Sequence, residues 1–228
     1  YHRVRGNYAL NSPTMLGDQL LLSGVRSIGH LELANVGYSR PIGYNGMRLL
    51  TGIGYTEYKV GRELEAANRG GTANLYNVGL SYPFVRSNKA NLTGSVTLNY
   101  KDLNDYYKDF NTSSRVSLGK SVISVPFSAQ FDVRDELFGP AITFGNVIIT
   151  VGDVRLDATA KATDDTTVKT NGRFIKSNLD VIRQQLVGAY TLSTRLSAQY
   201  SPKNLDSSED FLLGGPSGVR AYPNGEAS

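Results

Sequence analysis

The chain has 228 residues, no cysteine, two histidines and a net charge of only +4 from 24 basic and 20 acidic side chains. Without cysteine there is neither a disulfide framework nor a thiolate metal site, and His2 and His30 are too few for a His-rich zinc site. Lysine and arginine are scattered among the acids rather than clustered, which argues against nucleic-acid binding.

No stretch is apolar over the roughly 18 residues that a membrane helix needs. The other way across a bilayer is a closed barrel, whose strands show only alternating hydrophobicity. The composition suits that reading: 24 Gly, 14 Tyr and 8 Phe. With no Trp in the chain, Tyr and Phe would have to supply the aromatic girdles. No signal peptide opens the chain. It starts at Tyr1 in what already reads as a strand, so an upstream part is expected to precede it.

In chain order the pattern predicts about ten strands, at 2–9, 19–28, 32–41, 47–58, 71–83, 90–101, 112–135, 142–156, 174–186 and 189–200. The fourth alternates through Met47, Leu49, Ile53 and Tyr55, and the fifth through Tyr76, Val78, Leu80 and Tyr82. In the sixth, Leu92, Val96, Leu98 and Tyr100 oppose Asn91, Thr93, Ser95, Thr97 and Asn99. The seventh is unusually long, and its apolar phase shifts near Pro126, as a bulge or a strand running beyond the membrane would cause. The second and eighth are ambiguous in phase. The tenth sets Tyr190, Leu192, Leu196, Ala198 and Tyr200 against Thr191, Ser193, Arg195, Ser197 and Gln199. Each is a strand with one apolar and one polar face.

Leu179 to Val187 is the nearest thing to a helical stripe and it is short, so the chain reads as all-β. Short, turn-rich connections (Asn11 to Asp18, Gly43 to Gly46, Pro83 to Lys89) alternate with longer polar ones (Lys59 to Gly70, Lys101 to Asp109, Asp157 to Gly172). Short turns on one rim and long loops on the other are what a transmembrane barrel requires. A soluble β-sandwich or β-solenoid also alternates, but a sandwich should carry more Lys and Glu on its outer face. Gly52 to Gly54 and Gly70-Gly71 lack the following helix and lysine of a phosphate loop and read as strand kinks or turns.

The end of the chain carries a more specific pattern. Phe211-Leu212-Leu213-Gly214-Gly215-Pro216-Ser217-Gly218-Val219-Arg220-Ala221-Tyr222-Pro223, then Gly225-Glu226-Ala227-Ser228, resembles a loop of the two-partner secretion (TpsB) outer-membrane transporters, the haemolysin and haemagglutinin secretion/activation proteins. Upstream, Asn11 to Asp18 resembles that family's Asn-Pro-Leu-Gly-x-Gly-Asp turn, with Ser12 intervening. Tyr38-Ser39-Arg40-Pro41-Ile42-Gly43, Leu80-Ser81-Tyr82-Pro83 with Arg86 and Lys89, and Asn204-Leu205 with Ser208-Glu209 follow in the family's order.

The resemblance implies an antiparallel transmembrane β-barrel of sixteen strands, of which this chain would hold about ten. It would run from the second strand to the sixth extracellular loop, 203–228, without the POTRA domains, the first strand or the final strands. The implied function is export of a partner exoprotein across the bacterial outer membrane. The implied setting is outer-membrane lipid, a monomer, no cofactor, no ATP and no enzymatic activity.

In that family the loop folds back into the barrel, where Arg220 would meet a carboxylate on a strand beyond Ser228. A guanidinium and a carboxylate form a bidentate, charge-assisted pair that fixes one geometry. Gly214, Gly215 and Pro216 would give the loop its reversals. Val219 belongs to the motif, Tyr222 would pack on the wall, and Glu226 would be a second polar anchor. Ala221 departs from the superfamily's glycine and is tolerable only where φ is negative. Asn91, Thr93, Thr97, Ser193, Arg195 and Gln199 would line the conduit. Three readings compete with export: an outer-membrane insertase, a passive porin and, further off, a barrel enzyme such as a lipase using His30 and a serine.

Overall fold

A computed structural model describes residues 2–27, 31–59, 69–108 and 114–210. Ten antiparallel strands form one sheet, ordered as a simple meander: β1 Arg3–Asn11, β2 Gln19–Ser27, β3 Leu31–Pro41, β4 Arg48–Lys59, β5 Gly70–Arg86, β6 Ala90–Lys108, β7 Arg115–Asp135, β8 Ala141–Leu156, β9 Gly172–Val187 and β10 Tyr190–Tyr200. All ten expected strands are present, and there is no second sheet for a sandwich among the described residues.

Four local expectations need correction. The expected loop at 101–109 is strand as far as Lys108, because Lys101, Leu103, Asp105 and Tyr107 keep the alternation going. Likewise β5 runs to Arg86, leaving only 87–89 as its turn. The loop at 157–172 contains a short helix, α1 Ala158–Asp164, whose N-cap Asp157 accepts from Ala160 N at 2.7 Å and, across the gap to β7, from Gly119 N at 2.6 Å. Finally, β7 has no bulge at Pro126. Its ladder with β6 skips the proline, which has no N–H to give, and resumes in the same register at Ser124. The irregularity lies in β5 instead, between Pro83 and Val85.

The registers divide the sheet into two faces, since directly paired residues point the same way. On one face an unbroken row of partners crosses seven strands: Tyr8, Leu22, Val36, Ile53, Tyr76, Tyr100 and Ile123, all exposed. Val125, Val151 and Ile175 carry the row on across β7, β8 and β9. Nothing in the described residues covers this face.

The phase shift of β7 follows from a change of surroundings along the strand. From Ile123 to Val133 the apolar side chains Ile123, Val125, Phe127, Ala129, Phe131 and Val133 share the bare face. Before Ile123 the pattern inverts: Leu118 and Val122 point to the opposite face, where Val122, Val154 and Phe174 form the one buried cluster among the described residues, with Leu103, Leu156 and Leu205 packed on it. On the bare face at that level stand Asp102, Asn104, Ser117, Asp153 and Arg155. There the sheet is built like a water-soluble one, apolar inside and polar outside. With no bulge at Pro126, the inversion of the pattern fits the other explanation, a strand running beyond the membrane.

Ser121 and Asp135 bound the apolar run of β7. Ten residue steps at about 3.3 Å span roughly 33 Å along the strand. At a tilt of about 40° this covers about 25 Å, the height of a barrel's apolar band. The upper margin carries exposed ion pairs, Arg26–Glu32 at 3.1 Å and Arg155–Asp153 at 3.0 Å. At the lower margin Arg183 grips Asp135 with both guanidinium nitrogens at 2.8 and 2.9 Å.

The band makes a depth-dependent prediction. With the full-length protein refolded into lipid vesicles, Phe127→Arg should cost about 2–4 kcal/mol and Ser121→Arg about 0–1 kcal/mol. Denaturant unfolding measures both, and equal costs would remove the membrane boundary drawn here.

Candidate functional site

The face opposite the apolar rows is polar along most of its length. Asn91, Thr93 and Thr97 on β6 and Ser193, Arg195 and Gln199 on β10 all belong to it by register. Their contacts agree: Asn91 Nδ2 donates to Asp132 Oδ2 at 3.0 Å, Asn178 Nδ2 to Gln199 Oε1 at 2.8 Å, and Arg195 Nη2 pairs with Asp180 at 2.5 Å. Asn91 and Thr93, with Gln130, Asp132, Asn146 and Asp180, line a hollow of about 580 Å³ in this face.

Glycines let large groups lie flat here. A Cβ on Gly152 would stand 2.5 Å from the Phe174 ring, its direct cross-strand partner, so the ring covers the glycine and closes the buried cluster. Gly71 leaves the same kind of room for Tyr58, whose hydroxyl donates to Asp105 at 2.8 Å.

Across this face runs a strap, residues 201–210, which turns back from the end of β10. Leu205 seats on the Val122, Val154 and Phe174 cluster. Lys203 Nζ donates to the carbonyls of Thr170 and Asn171 at 3.1 and 2.6 Å, and Asn204 Nδ2 to that of Val168 at 2.9 Å, tying the strap to the α1 loop. A cavity of about 790 Å³ remains between strap, α1 and wall, lined by Thr159, Thr163, Thr167, Lys120 and Asp210 among others.

Charge fixes the rest. Lys120 of β7 reaches Asp206 at 2.8 Å. Glu209, its side chain only 4% exposed, accepts from Lys101 of β6 and from Lys176 of β9, each at 2.6 Å. Lys101 also donates to Ser208 O at 3.2 Å and Lys176 to Glu209 O at 2.8 Å. Desolvation offsets much of the attraction in such buried pairs, but deleting one partner leaves an uncompensated charge and costs about 3–5 kcal/mol.

Of the expected loop motif, Gly214, Gly215, Val219, Arg220, Tyr222 and Glu226 lie outside the described residues, as does His30. The clamp upstream of them was not anticipated. Of its acids only Glu209 stood out, as a residue in the family's order, and its lysines are three ordinary polar positions on separate strands.

A ten-stranded antiparallel meander, bare and apolar on one face, polar and crossed by a strap on the other, is part of a transmembrane β-barrel with a loop laid against its inner wall. The comparisons agree with that class. The chain belongs to the haemolysin secretion/activation protein family ShlB/FhaC/HecB, whose family model matches residues 1–228, and it is an outer-membrane protein.

Among relatives, the heme/hemopexin transporter protein HuxB of Haemophilus influenzae (strain 86-028NP) is 23% identical over 231 residues, covering 100% of this chain and 40% of HuxB. The chain thus spans about two fifths of the length of the curated relatives it matches. Among solved structures, CdiB from Escherichia coli superposes with a TM-score of 0.72 at 22% identity, over 96% of this chain and 41% of that one. CdiB from Acinetobacter baumannii gives 0.62 at 19% identity, over 96% and 39%. These likenesses speak to the fold.

Two strap carboxylates respond to pH in opposite senses. Burial pushes Asp206 up, but the bonds from Lys120 and Ser208 outweigh it and hold Asp206 below the ordinary 3.8. Its contribution is therefore present above pH 3.8 and lost as pH falls through the depressed value. Burial, with the nearby charges of Asp206 and Glu209, raises Asp210 more than Lys176 and Lys120 lower it. Its contribution is present below pH 3.8 and lost as pH rises through the raised value. Asp210→Asn should therefore stabilise the folded barrel at neutral pH, with an advantage that shrinks towards pH 4, about where carboxylates titrate. Asp206→Asn should destabilise it. The temperature at which the heat-modifiable gel band converts measures both.

Proposed function

We propose that this chain supplies wall and lumen loop to an outer-membrane pore that passes a partner exoprotein out of the cell. One observation carries the reading: the six candidate lining positions, Asn91, Thr93, Thr97, Ser193, Arg195 and Gln199, fall on the single face that lies away from the apolar rows. A conduit of amides and hydroxyls lets an unfolded polypeptide slide past without adhering, while the apolar face meets lipid. Family membership supports a transporter over an enzyme, and HuxB is itself named for heme/hemopexin transport.

In this reading residues 203–228 form a loop folded into the lumen, continuing from the strap. Arg220 anchors it through a bidentate pair with a carboxylate on a strand outside this chain, and Gly214, Gly215, Val219, Tyr222 and Glu226 shape and seat it. The pore works as a monomer, without cofactor, driven by no nucleotide.

The test is export itself. The full-length gene is expressed with its neighbouring exoprotein gene, and exoprotein is measured in medium and periplasm. Removing the transporter should strand the exoprotein inside the cell. Arg220→Ala should abolish or sharply reduce export from barrels that still assemble, and undiminished export would refute the role given to the loop.

A further inference from the structure

We infer that Glu209 is a positioning residue for export: by bridging Lys101 and Lys176 it fixes, with Asp206 on Lys120, the place on the inner wall where the strap ends and the loop of the export reading begins. The inference rests on the export reading above.

The geometry is that of a bridge across the sheet. Lys101 stands on β6 and Lys176 on β9, separated by β7 and β8. Three inter-strand spacings of about 4.8 Å, together with the offset along β8 between Val154 in the Lys101 row and Thr150 in the Lys176 row, set their backbones roughly 20 Å apart in a flat sheet. Both side chains must therefore reach inward and converge for their ammonium groups to lie 2.6 Å from the two oxygens of one carboxylate. Glu209 accordingly sits over β7 and β8, with Lys120 and Asp206 beside it as a second pair at 2.8 Å. Few other positions of the strap satisfy three lysines drawn from three strands.

Holding the strap down needs no ion pair. Leu205 on its apolar cluster and Lys203 on the α1 loop already do that. What the ion pairs add is uniqueness, since an apolar contact tolerates sliding whereas a carboxylate between two ammonium groups has one location. Removing Glu209 should thus leave a folded barrel whose strap remains docked but is free to shift. The lumen loop of the export reading starts from this point, so its starting position shifts with the strap.

The experiment uses the full-length transporter with its exoprotein. Heat-modifiable mobility reports barrel assembly, and single-channel recordings in planar bilayers report the state of the lumen. Glu209→Ala should assemble, yet export should fall by roughly tenfold or more, the scale set by losing charge-assisted bonds. Its recordings should show conductance sub-states that the unsubstituted protein lacks. Glu209→Lys combined with Lys101→Glu and Lys176→Glu should restore both export and steady conductance, which a role in bulk stability alone would not predict.

Full export and unchanged conductance from assembled Glu209→Ala barrels would overturn the inference. Should that variant fail to assemble, the pair Lys120→Asp with Asp206→Lys decides: recovery relative to either single change supports it, and no recovery overturns it. If the unsubstituted protein exports nothing, the export reading fails. The conductance comparison then still tests whether Glu209 sets the lumen's state.

Discussion

Every strand of this sheet must give its backbone N–H and C=O groups to a neighbour, because lipid offers them no other partner. That obligation fixes the meander and its antiparallel ladders, and the ladders fix side-chain direction at a period of two. All else is a consequence of having two faces that meet different solvents. One face can be apolar without any protein layer above it, as the row from Tyr8 to Ile123 is. The other must remain wet, so it cannot hold a strap by hydrophobic contact along its whole length.

The strap reflects that restriction. It has a single apolar seat, Leu205, placed at the level where the wall itself is apolar inside. Around that seat it relies on charge, with Asp206 and Glu209 meeting lysines from three strands. Such pairs contribute less to stability than to definition of place. A conduit that must stay polar yet hold a loop in one position has few other means. Asp210, raised by burial and by its acidic neighbours, marks the limit: a third carboxylate has no lysine of its own in close contact among the ion pairs described.

Much of this was legible in residue order. Leu92, Val96, Leu98 and Tyr100 against Asn91, Thr93, Thr97 and Asn99 give both strand and face, because one alternating segment contains the whole signal. The helix at Ala158–Asp164 escaped notice because seven residues cannot show a helical period, and its Asp157 cap is one acid among several. The clamp escaped for a deeper reason. Lys101, Lys120 and Lys176 are far apart in sequence, and each is an unremarkable polar position on its strand. Their convergence depends on the registers of β6 through β9 taken together, and no local pattern encodes three registers at once. The motif from Gly214 to Glu226 is the reverse case, since it is recognisable at once as a pattern yet lies outside the described residues.

The apparent fault in the seventh strand turns out to be its most informative feature. An apolar phase that changes side cannot belong to one strand in one solvent, so β7 must pass between two. From Val133 to Ile123 it is apolar outward, as lipid requires; from Val122 to Leu118 it is apolar inward, as water requires. The change falls between adjacent residues, with no bulge to reorient the chain. On β8 Val151 faces out and Val154 faces in, and Ile142, Phe144 and Ile148 also face in, so that strand is apolar on both faces and reads ambiguously. The inward apolar stretch above the boundary is where Leu205 finds its seat. The inward apolar stretch at this end of the strands is therefore what gives the strap a hydrophobic foothold on a face that is polar along most of its length.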